Sequence, residues 1–526
     1  MKQILQNLST GTSDIADVPR PRCKSGCLLI QSSITLISAG TERMLVDFGR
    51  SSYLEKARQQ PDKVKMVLDK VKTDGLMTTI DAVKSKLDQP MPMGYSNVGV
   101  VLEVGSGVDG FKVGDRVVSN GPHAEVVCVP KHLCAKIPDN VTDENATFTV
   151  VGAIALQGVR LAQPTIGECF VVTGLGLIGL MAVQILRANG CRVLGLDFDA
   201  EKLKLAEAYG AETVNLSEEE DPISAAEAFS KGCGVDGVII TASTKSNEPI
   251  HQAATMCRQR GRIVLIGVVG LEMQRADFYK KELTFQVSSA YGPGRYDPFY
   301  EDQGNDYPLG FVRWTSQRNF EAILEMLAQK KVIVTDLKSG SFDIDNATKA
   351  YDMLLVDKTA MGVFISYGNQ NETNLNRTLK LASPSQTYNA SNAIIGAIGA
   401  GNYAGRILLP AFSKTGATFK TISSSQGISG THYGKKFAFE INTTDSNVIF
   451  DDPDINTVII STPHNSHAKF VIQALEHNKN VFVEKPLALN HVELDAIEAA
   501  YNKQELKSRI MVGYNRRFAP HVIKMK

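Results

Sequence analysis

Two glycine-rich segments of the chain have the residue types and the spacing that let a pyrophosphate approach the backbone. In chain order they are Gly174-Leu175-Gly176-Leu177-Ile178-Gly179 and Gly399-Ala400-Gly401-Asn402-Tyr403-Ala404. Each follows an apolar strand-like run and precedes an apolar helix-like run, a context that makes the glycine pattern informative. The helix N-terminus behind the glycines offers free N–H groups and the positive end of its dipole. The sequence therefore predicts two dinucleotide-binding sites, and with them hydride-transfer chemistry.

A carboxylate follows the first glycine segment at the distance that suits ribose binding. Asp197 ends the next strand-like run, about 20 residues past the glycines, where its oxygens can accept hydrogen bonds from the adenosine ribose hydroxyls. Because a carboxylate there repels a 2′-phosphate, the sequence favours NAD over NADP for this module. A solvated aspartate at a strand end is the alternative interpretation.

The second module lacks this carboxylate. The strand-like run at residues 419–423 ends in Ser423, and Lys435 and Lys436 follow further on. Without the acid the discrimination against a 2′-phosphate is lost, although no arginine follows the strand to bind such a group. The cofactor of the second module is therefore NAD or NADP.

The elements around the first glycine segment alternate between strand-like and helix-like patterns. Strand-like runs cover residues 169–173, 192–197, 235–241 and 261–267. This alternation predicts an α/β fold with a doubly wound parallel sheet, in which the glycines lie at the carboxyl end of the first strand. The apolar run 169–186 is almost long enough to cross a bilayer, but its glycines favour a buried strand, a turn and a helix.

The flanking regions have a different pattern. Residues 28–138 consist of short β-branched runs broken by Gly and Pro, which predict a barrel-like β unit. An insert at 51–87 has apolar residues at helical spacing and predicts one or two amphipathic helices. Residues 310–367 return to mixed structure, and 368–390, rich in Asn, Gln, Ser and Thr, predict an interdomain linker.

Composition restricts the partners. Among 526 residues, lysine plus arginine and aspartate plus glutamate number 56 each, so no net charge attracts nucleic acid or a membrane surface. We expect a small-molecule substrate, no nucleic acid and no membrane insertion. Eight cysteines without a Cys-x-x-Cys pair, and a start without signal-peptide features, predict a cytoplasmic protein without disulfides.

The first module resembles the medium-chain dehydrogenase/reductase family, the relatives of zinc alcohol dehydrogenase, over roughly residues 25–367. The resemblance rests on the barrel pattern, the Gly114-Asp115-Arg116-Val117 turn, the glycine segment and the ribose acid. It implies a GroES-like β-barrel domain beside a Rossmann domain. It also implies a zinc site, whose usual ligand positions hold Ala39, Tyr95 and Val150. Since none of these binds zinc, we predict that the metal is lost.

Hydrogen-bond donors must then replace the zinc ion as the group that stabilises a developing alkoxide. Thr41 lies at the family's proton-relay position, and the Tyr95 hydroxyl can donate to an alkoxide or enolate. A turn threonine and a packed aromatic are the alternatives. The aromatic loop at residues 289–301 predicts either a substrate lid, with Arg295 meeting an anionic group, or a folded cover over the sheet.

The second module, residues 392–526, resembles the Gfo/Idh/MocA family of sugar and inositol dehydrogenases. Besides the glycine segment, the resemblance rests on the segments 461–467, 484–487 and 513–518. It implies that Lys485 lies beside the nicotinamide and the substrate hydroxyl, where it stabilises an oxyanion or relays a proton; a surface lysine is the alternative. The other residues that it implies for the cofactor are Asn402, Tyr403, Ala404, Ser423, Thr462, Pro463, His464 and Glu484.

The family's substrate domain is absent after residue 518, so we expect either a fragment of a longer protein or a module that binds nucleotide without turnover. The predicted domains are a GroES-like domain at 1–155 and 300–368, a Rossmann domain at 156–299, a linker at 369–390 and a second Rossmann domain at 391–526. Chains of this kind resemble bacterial two-domain oxidoreductases of polysaccharide biosynthesis.

The sequence thus predicts a homo-oligomeric NAD(P)-dependent dehydrogenase that acts on a carbonyl or alcohol carbon of a sugar or nucleotide sugar. Two alternatives stay open. One is a zinc-free reductase of enones or quinones, and the other is an inactive NAD sensor or scaffold, because each module has lost a catalytic component.

Overall fold

The computed structural model describes residues 1–59, 61–218, 220–368, 374–382, 392–505 and 508–525. The chain divides into two units. What we term the large unit contains Cys23–Asp47 and Pro92–Glu372, and the small unit contains Met1–Arg22, Phe48–Met91 and Thr373–Lys526.

Six parallel strands form the nucleotide-binding sheet of the large unit, which confirms the predicted doubly wound sheet. In spatial order they are Glu212–Asn215, Arg192–Asp197, Cys169–Thr173, Val235–Ile240, Cys257–Leu265 and Thr284–Val287. The helices of this region are Leu177–Ala188, Ala200–Ala208, Pro222–Phe229, Glu248–Met256 and Arg275–Tyr279. The chain reverses direction across the sheet beside Cys169–Thr173, so the first glycine turn lies at the topological switch point where ligands bind.

A seven-stranded mixed sheet forms the rest of the large unit. In order its strands are Lys338–Asp343, Gly362–Ser366, Cys27–Ser38, Asn97–Val104, Arg116–Ser119 and Cys134–Lys136, with Val126–Pro130 also paired to Cys27–Ser38. The remaining helices of four or more residues are Asp143–Ala146, Thr149–Ala162, Pro298–Glu301, Ser316–Ala328 and Ala347–Val356. Chain segments far apart in sequence build this sheet, because Gly362–Ser366 pairs antiparallel with Cys27–Ser38.

The predicted insert is helical, but it has three helices where one or two were predicted. It comprises Tyr53–Gln59, Pro61–Asp74 and Leu76–Asp88, and follows the helix Ala39–Arg50. Gly75, with φ +84°, separates the last two insert helices.

Residues 1–22 and 48–91, which the sequence assigns to the barrel domain, group with the small unit in the structure. The strands Lys2–Gln6 and Ser13–Asp17 form a hairpin. The N–H groups of Arg20 and Arg22 donate to the carbonyls of Asn376 and Ser425, which ties the N-terminus to the rest of this unit. Hydrogen bonds to residues about 350 to 400 positions away are not encoded in a local pattern, so sequence reasoning had no means of predicting them.

The small unit contains a second doubly wound sheet, as predicted. In spatial order its strands are Thr378–Lys380, Ile441–Thr443, Thr418–Ser423, Ile394–Ile398, Thr457–Ile460, Asn480–Glu484 and Ile510–Gly513. Its helical segments are Ala404–Leu408, Leu409–Phe412, Ile428–Lys436, Asn447–Phe450, His467–Glu476, His491–Asn502 and Pro520–Met525. Ile394 packs into one apolar cluster and Ile395 into another, as alternating side chains of a strand buried on both faces do.

Part of the predicted linker is structured. Thr378–Lys380 pairs antiparallel with Ile441–Thr443 and forms the edge strand of the second sheet, so the linker prediction is wrong for these residues. Short polar edge strands carry little apolar periodicity, which explains why the pattern missed it. Residues 369–373 and 383–391 lie outside the described part of the chain.

Every helix in the described ranges falls short of the length and apolar character that crossing a bilayer requires.

Candidate functional site

The first glycine turn has a distinct steric role for each glycine. Gly174 has φ +92°, and a Cβ on it would lie 2.8 Å from the backbone nitrogen of Ala242. A Cβ on Gly179 would lie 1.9 Å from the Gly174 carbonyl oxygen, so the helix packs directly on the turn. A Cβ on Gly176 would meet nothing within 4 Å of it. Gly176 thus leaves open space at the N-terminus of Leu177–Ala188, where a pyrophosphate approaches such a helix.

Asp197 lies against this turn, as the sequence predicts. Its Oδ2 accepts a hydrogen bond from the Leu175 N–H at 2.6 Å, and its Oδ1 accepts from the N–H groups of Phe198 and Asp199 at 2.8 and 3.0 Å. These bonds fix the carboxylate at the end of its strand. The sequence analysis missed Phe198, a large aromatic side chain that is 70% exposed beside this acid. Leu175 and Leu177 are buried and Ile178 is partly buried, so they support the turn by packing.

Replacing Asp197 by alanine is expected to weaken NAD binding to the large unit by about tenfold or more, because charge-assisted hydrogen bonds to ribose contribute about 1.5–3 kcal/mol. Titration calorimetry with NADH measures this loss. Asp221→Ala is the matched control, since this acid also accepts N–H bonds of a helix start but follows a different strand of the sheet. Equal NADH affinity in wild type and Asp197→Ala would remove Asp197 from the site.

The residues at the zinc-ligand positions do not fit zinc. Ala39 and Val150 are buried aliphatic side chains, and Tyr95 is a phenol. In the described part of the chain, no three side chains of His, Cys, Asp or Glu cluster closely enough to hold a metal ion. A tetrahedral site requires at least three such ligands. Of the three side chains, only that of Tyr95 carries an atom that can form a hydrogen bond.

The structure places the Tyr95 phenol beside the hydroxyls of Ser38 and Thr41. The Tyr95 hydroxyl is buried and, within the described residues, has no well-formed hydrogen bond. Burial raises the pKa of Tyr95 above its ordinary value, and the neighbouring hydroxyls of Ser38 and Thr41 oppose this shift. Ser38 and Thr41 flank Ala39, so the phenol lies beside a former ligand position. Burial therefore keeps this phenol protonated, with two other hydroxyls beside it.

A buried polar network near this turn was missed by the sequence analysis. Glu42 and His123 are both 0% exposed, and His123 Nε2 lies 3.1 Å from Glu42 Oε2. The Tyr351 hydroxyl donates to Glu42 Oε2 at 2.7 Å, and His123 Nδ1 lies 2.7 Å from the Thr35 hydroxyl. Glu42 and His123 lie 81 positions apart in the sequence, so no local motif could pair them.

This network supports the backbone segment Met93–Tyr95, which we term the Tyr95 turn. The backbone N–H of His123 donates to the Met93 carbonyl at 2.7 Å, and a Cβ on Gly94 would lie 2.5 Å from the His123 ring. The imidazole thus packs directly against the backbone one residue before Tyr95. Burial and the charge of Glu42 together hold the pKa of Tyr351 well above its ordinary value, so this phenol stays a donor.

The aromatic loop at 289–301 is folded onto its own unit. Arg295 pairs with an acid of the same loop, because its Nη1 donates to the two carboxylate oxygens of Glu301 at 2.6 and 2.8 Å. Tyr291 and Tyr300 are buried. The hypothesis that Arg295 meets an anionic group of the substrate is therefore corrected, since its guanidinium is already neutralised by Glu301.

The second glycine turn repeats the first in the small unit. Gly399 has φ +99°, and a Cβ on it would lie 2.7 Å from the Ser461 carbonyl carbon. A Cβ on Gly401 would meet nothing within 4 Å, which leaves the same open space. Ala404 is buried behind the turn, and Ser423 is buried at the end of its strand.

Asn402 and Tyr403, which follow Gly401, both form hydrogen bonds with side chains from other segments of the small unit. The Asn515 amide donates to the Tyr403 hydroxyl at 3.1 Å. The Gln89 amide donates to the Asn402 side chain, and also to the Tyr433 hydroxyl at 2.8 Å. Gln89 follows the last insert helix, so the insert borders the second glycine turn. Lys436, a candidate for binding a 2′-phosphate, forms an ion pair with Asp88 at 2.8 Å instead.

His467 joins two of the predicted cofactor segments. This buried imidazole lies 2.9 Å from the Thr462 carbonyl through Nε2 and 2.7 Å from the Pro486 carbonyl through Nδ1. The segments Thr462–His464 and Glu484–Lys485 are thereby held at the same edge of the sheet. Pro463, His464 and Lys485 are all exposed. The exposure of Lys485 is compatible with the alternative of a surface lysine, and its role at the nicotinamide stays a prediction.

Glu484 provides a test of whether this edge fits a dinucleotide. Its Oε1 is buried and has no hydrogen-bond partner among the residues that the structure describes. A Cβ on Gly513, in the adjacent strand, would lie 2.7 Å from this oxygen. An unpaired buried acceptor at the carboxyl end of a parallel sheet fits a ligand that brings N–H donors, such as the carboxamide of a nicotinamide.

Three segments of the chain match known protein families. Residues 68–139 match the alcohol dehydrogenase GroES-like domain, and residues 178–302 match the family described as zinc-binding dehydrogenase. Residues 393–514 match the oxidoreductase family with an NAD-binding Rossmann fold. The second match begins within the first glycine turn, and the third includes the second glycine turn.

Curated relatives align with the first module. "Probable D-xylulose reductase A" of Neosartorya fischeri is 26% identical over 298 residues, which are 50% of this chain and 76% of that protein. (R,R)-butanediol dehydrogenase of Bacillus subtilis is 28% identical over 280 residues, covering 45% of this chain and 79% of that protein. The structure of alcohol dehydrogenase TADH from Thermus sp. ATN1 superposes with a TM-score of 0.54 at 20% identity, covering 70% of this chain and 100% of that one. This last likeness concerns the fold alone.

Proposed function

Because the chain joins zinc-type alcohol dehydrogenase domains to a second NAD-binding Rossmann domain, we propose that this NAD(P)-dependent oxidoreductase acts on a sugar or nucleotide sugar. It transfers a hydride between a nicotinamide and a carbinol or carbonyl carbon. The names of the D-xylulose reductase and butanediol dehydrogenase relatives support a hydroxylated substrate. A role in surface-polysaccharide biosynthesis rests on the resemblance to bacterial two-domain oxidoreductases.

The observation that carries the proposal is the Tyr95 hydroxyl. It is buried and unpaired within the described residues, and it lies beside the hydroxyls of Ser38 and Thr41. A buried donor without a partner is costly to the fold, by about 1–3 kcal/mol, and a substrate oxygen would satisfy it. The same set of hydroxyls replaces the ligands that zinc would need, so the large unit works without the metal.

In the reduction direction, NADH supplies the hydride when it is bound at the first glycine turn, held by Asp197. The Tyr95 hydroxyl donates a hydrogen bond to the substrate carbonyl oxygen and stabilises the negative charge that develops there. Because burial keeps the pKa of Tyr95 raised, the phenol stays protonated at neutral pH and donates rather than repels. After hydride transfer the alkoxide takes the Tyr95 proton, and the Thr41 hydroxyl beside it relays a proton from solvent back to the phenolate.

Replacing Tyr95 by phenylalanine is expected to lower kcat by about 10²–10³-fold, the loss typical of a removed oxyanion donor, with little change in NADH affinity. Steady-state assays of NADH oxidation with a ketose panel and an enone measure this. Tyr209→Phe is the matched control, because its hydroxyl is also buried and unpaired among the described residues. Tyr209 follows the helix Ala200–Ala208 of the nucleotide-binding sheet, and its loss should leave kcat unchanged.

Four results would contradict the proposal. Unchanged kcat in Tyr95→Phe would remove this hydroxyl from the reaction. Stoichiometric zinc in the purified protein, measured by plasma mass spectrometry, would overturn the metal-free mechanism. Tight NADH binding without turnover of any carbonyl compound would favour the sensor or scaffold alternative, and turnover of the enone alone would favour the enone reductase.

For the small unit we propose a second dinucleotide site, with NAD or NADP as cofactor. The open space at Gly401 and the unpaired Glu484 Oε1 support it. Asn402, Tyr403 and Thr462 border the cofactor in this proposal, and Lys485 supplies the positive charge that stabilises an oxyanion of the substrate.

A further inference from the structure

A small cavity of about 200 Å³ lies in the small unit and is lined by polar and charged side chains. Three of them are cations, namely Arg22, Arg377 and Lys469, and one is an acid, Asp445. Gln473 adds a neutral amide. All of these residues belong to the same unit, although Arg22 comes from the N-terminus of the chain. The lining therefore carries an excess of positive charge.

The N-terminal segment is fixed against the loops that follow two sheet strands. The Arg22 N–H donates to the Ser425 carbonyl at 3.0 Å, two residues past Ser423. The Thr444 hydroxyl donates to the Arg20 carbonyl at 2.7 Å, beyond the end of Ile441–Thr443. A Cβ on Gly427 would lie 2.6 Å from the Pro19 carbonyl oxygen, so the two backbones are in direct contact. Arg22 is therefore held at the carboxyl edge of the sheet, where parallel α/β sheets bind their ligands.

The charges of the cavity are only partly compensated. Arg377 Nη1 donates to Asp445 Oδ2 at 2.9 Å, and Asp445 Oδ1 accepts from the Asn447 N–H at 3.1 Å. Both oxygens of this acid are thus engaged. In the described part of the chain, neither Arg22 nor Lys469 has a side-chain partner, so two positive charges face the cavity without a counter-charge.

We propose that this cavity binds a phosphate monoester, with Arg22 and Lys469 as its charged ligands. Guanidinium and ammonium groups together suit a dianion with three acceptor oxygens. The group has two sources, the 2′-phosphate of NADP bound by the small unit or a phosphorylated small molecule that binds alone. The first source rests on the proposed dinucleotide site. In that case Arg22 would be the arginine that binds the 2′-phosphate, since no arginine directly follows Ser423.

Titration calorimetry on the full chain tests this with NADPH, NADH and inorganic phosphate. Arg22→Gln is expected to weaken binding of the phosphate-bearing probe by about tenfold or more, the effect of one lost charge-assisted hydrogen bond. NADH affinity should change less than about twofold. Lys414→Gln is the matched control, because it removes one exposed charge of the same unit away from the cavity. Since Asp197 disfavours a 2′-phosphate in the large unit, NADPH reports on the small unit.

The outcomes separate the two sources and the two proposals. Weaker NADPH binding in Arg22→Gln, with NADH unchanged, identifies the 2′-phosphate. Weaker phosphate binding with NADPH unchanged identifies a free phosphate ester, and also supports the site. If Arg22→Gln binds both probes as wild type does, or if wild type binds neither, the cavity proposal is overturned. A single NADH site per chain that Asp197→Ala removes would refute the second dinucleotide site instead, and the phosphate titration would still decide the cavity.

Discussion

Replacing Gly176 by alanine is expected to lower the NAD affinity of the large unit by about a hundredfold while leaving its stability unchanged. A Cβ at this position meets no protein atom within 4 Å, so the fold has room for it. The same space is where the pyrophosphate must approach the helix N-terminus, and a methyl group there separates the two. Calorimetric titration with NADH and thermal unfolding measure the two effects separately.

Gly179→Ala is the paired variant, and it should behave differently. Its Cβ would lie 1.9 Å from the Gly174 carbonyl oxygen and 2.9 Å from the Thr241 hydroxyl, so the helix must move away from the turn. We expect a stability loss of about 1–3 kcal/mol together with the loss of NAD binding. If Gly176→Ala bound NADH normally, the pyrophosphate would not lie at this turn. If Gly179→Ala were as stable as wild type, the tight packing of helix on turn would be wrong.

Replacing His123 by leucine is expected to destabilise the large unit by about 3–5 kcal/mol, because it leaves the Glu42 carboxylate buried without its main partner. Glu42 is 0% exposed and would keep only the hydrogen bond from Tyr351. The backbone before Tyr95 would also lose the ring that packs on Gly94. We therefore expect a lower kcat in addition to a lower midpoint of thermal unfolding.

His132→Leu is the matched control for this experiment. His132 is also buried and also loses two hydrogen bonds, to Gln317 Oε1 at 3.1 Å and to the Gly304 carbonyl at 3.0 Å, but neither partner is an acid. Its loss should therefore cost less, about 1–3 kcal/mol. Replacing Glu42 and His123 together by leucine should recover much of the stability, because no unpaired charge remains. Equal losses of stability in His123→Leu and His132→Leu would show that the unpaired Glu42 carboxylate adds no cost of its own.

The Glu42–His123 pair shows how a buried polar contact can hold the backbone that precedes Tyr95. A zinc ion fixes its ligands by coordination bonds, whereas here hydrogen bonds and close packing hold the turn. His123 contacts both the Met93 carbonyl and Gly94, so it orients the backbone that carries Tyr95. We propose that positioning of the donor has passed from the metal to this pair.

Local sequence patterns were sufficient for the elements that bear the first glycine turn. The strands Cys169–Thr173 and Arg192–Asp197 have the predicted limits, and Asp197 lies against its turn as predicted. Fully buried parallel strands appear in the sequence as continuous apolar runs. A turn that has no room for side chains requires glycine at fixed positions. Both patterns extend over only a few consecutive residues, so they can be recognised in the sequence alone.

Contacts between distant segments were decided only by the tertiary structure. The pairing of Glu42 with His123, the engagement of Arg295 by Glu301 and the place of Arg22 beside Ser425 all depend on how separate elements pack. An isolated polar residue adds no periodicity to the sequence. A single hydrogen bond to a distant residue also does not change the sequence pattern around either partner. The sequence by itself thus determined two dinucleotide-binding folds and the absence of zinc ligands at three positions. The tertiary structure decided which hydroxyls and charges replace them, because only packing brings such groups together.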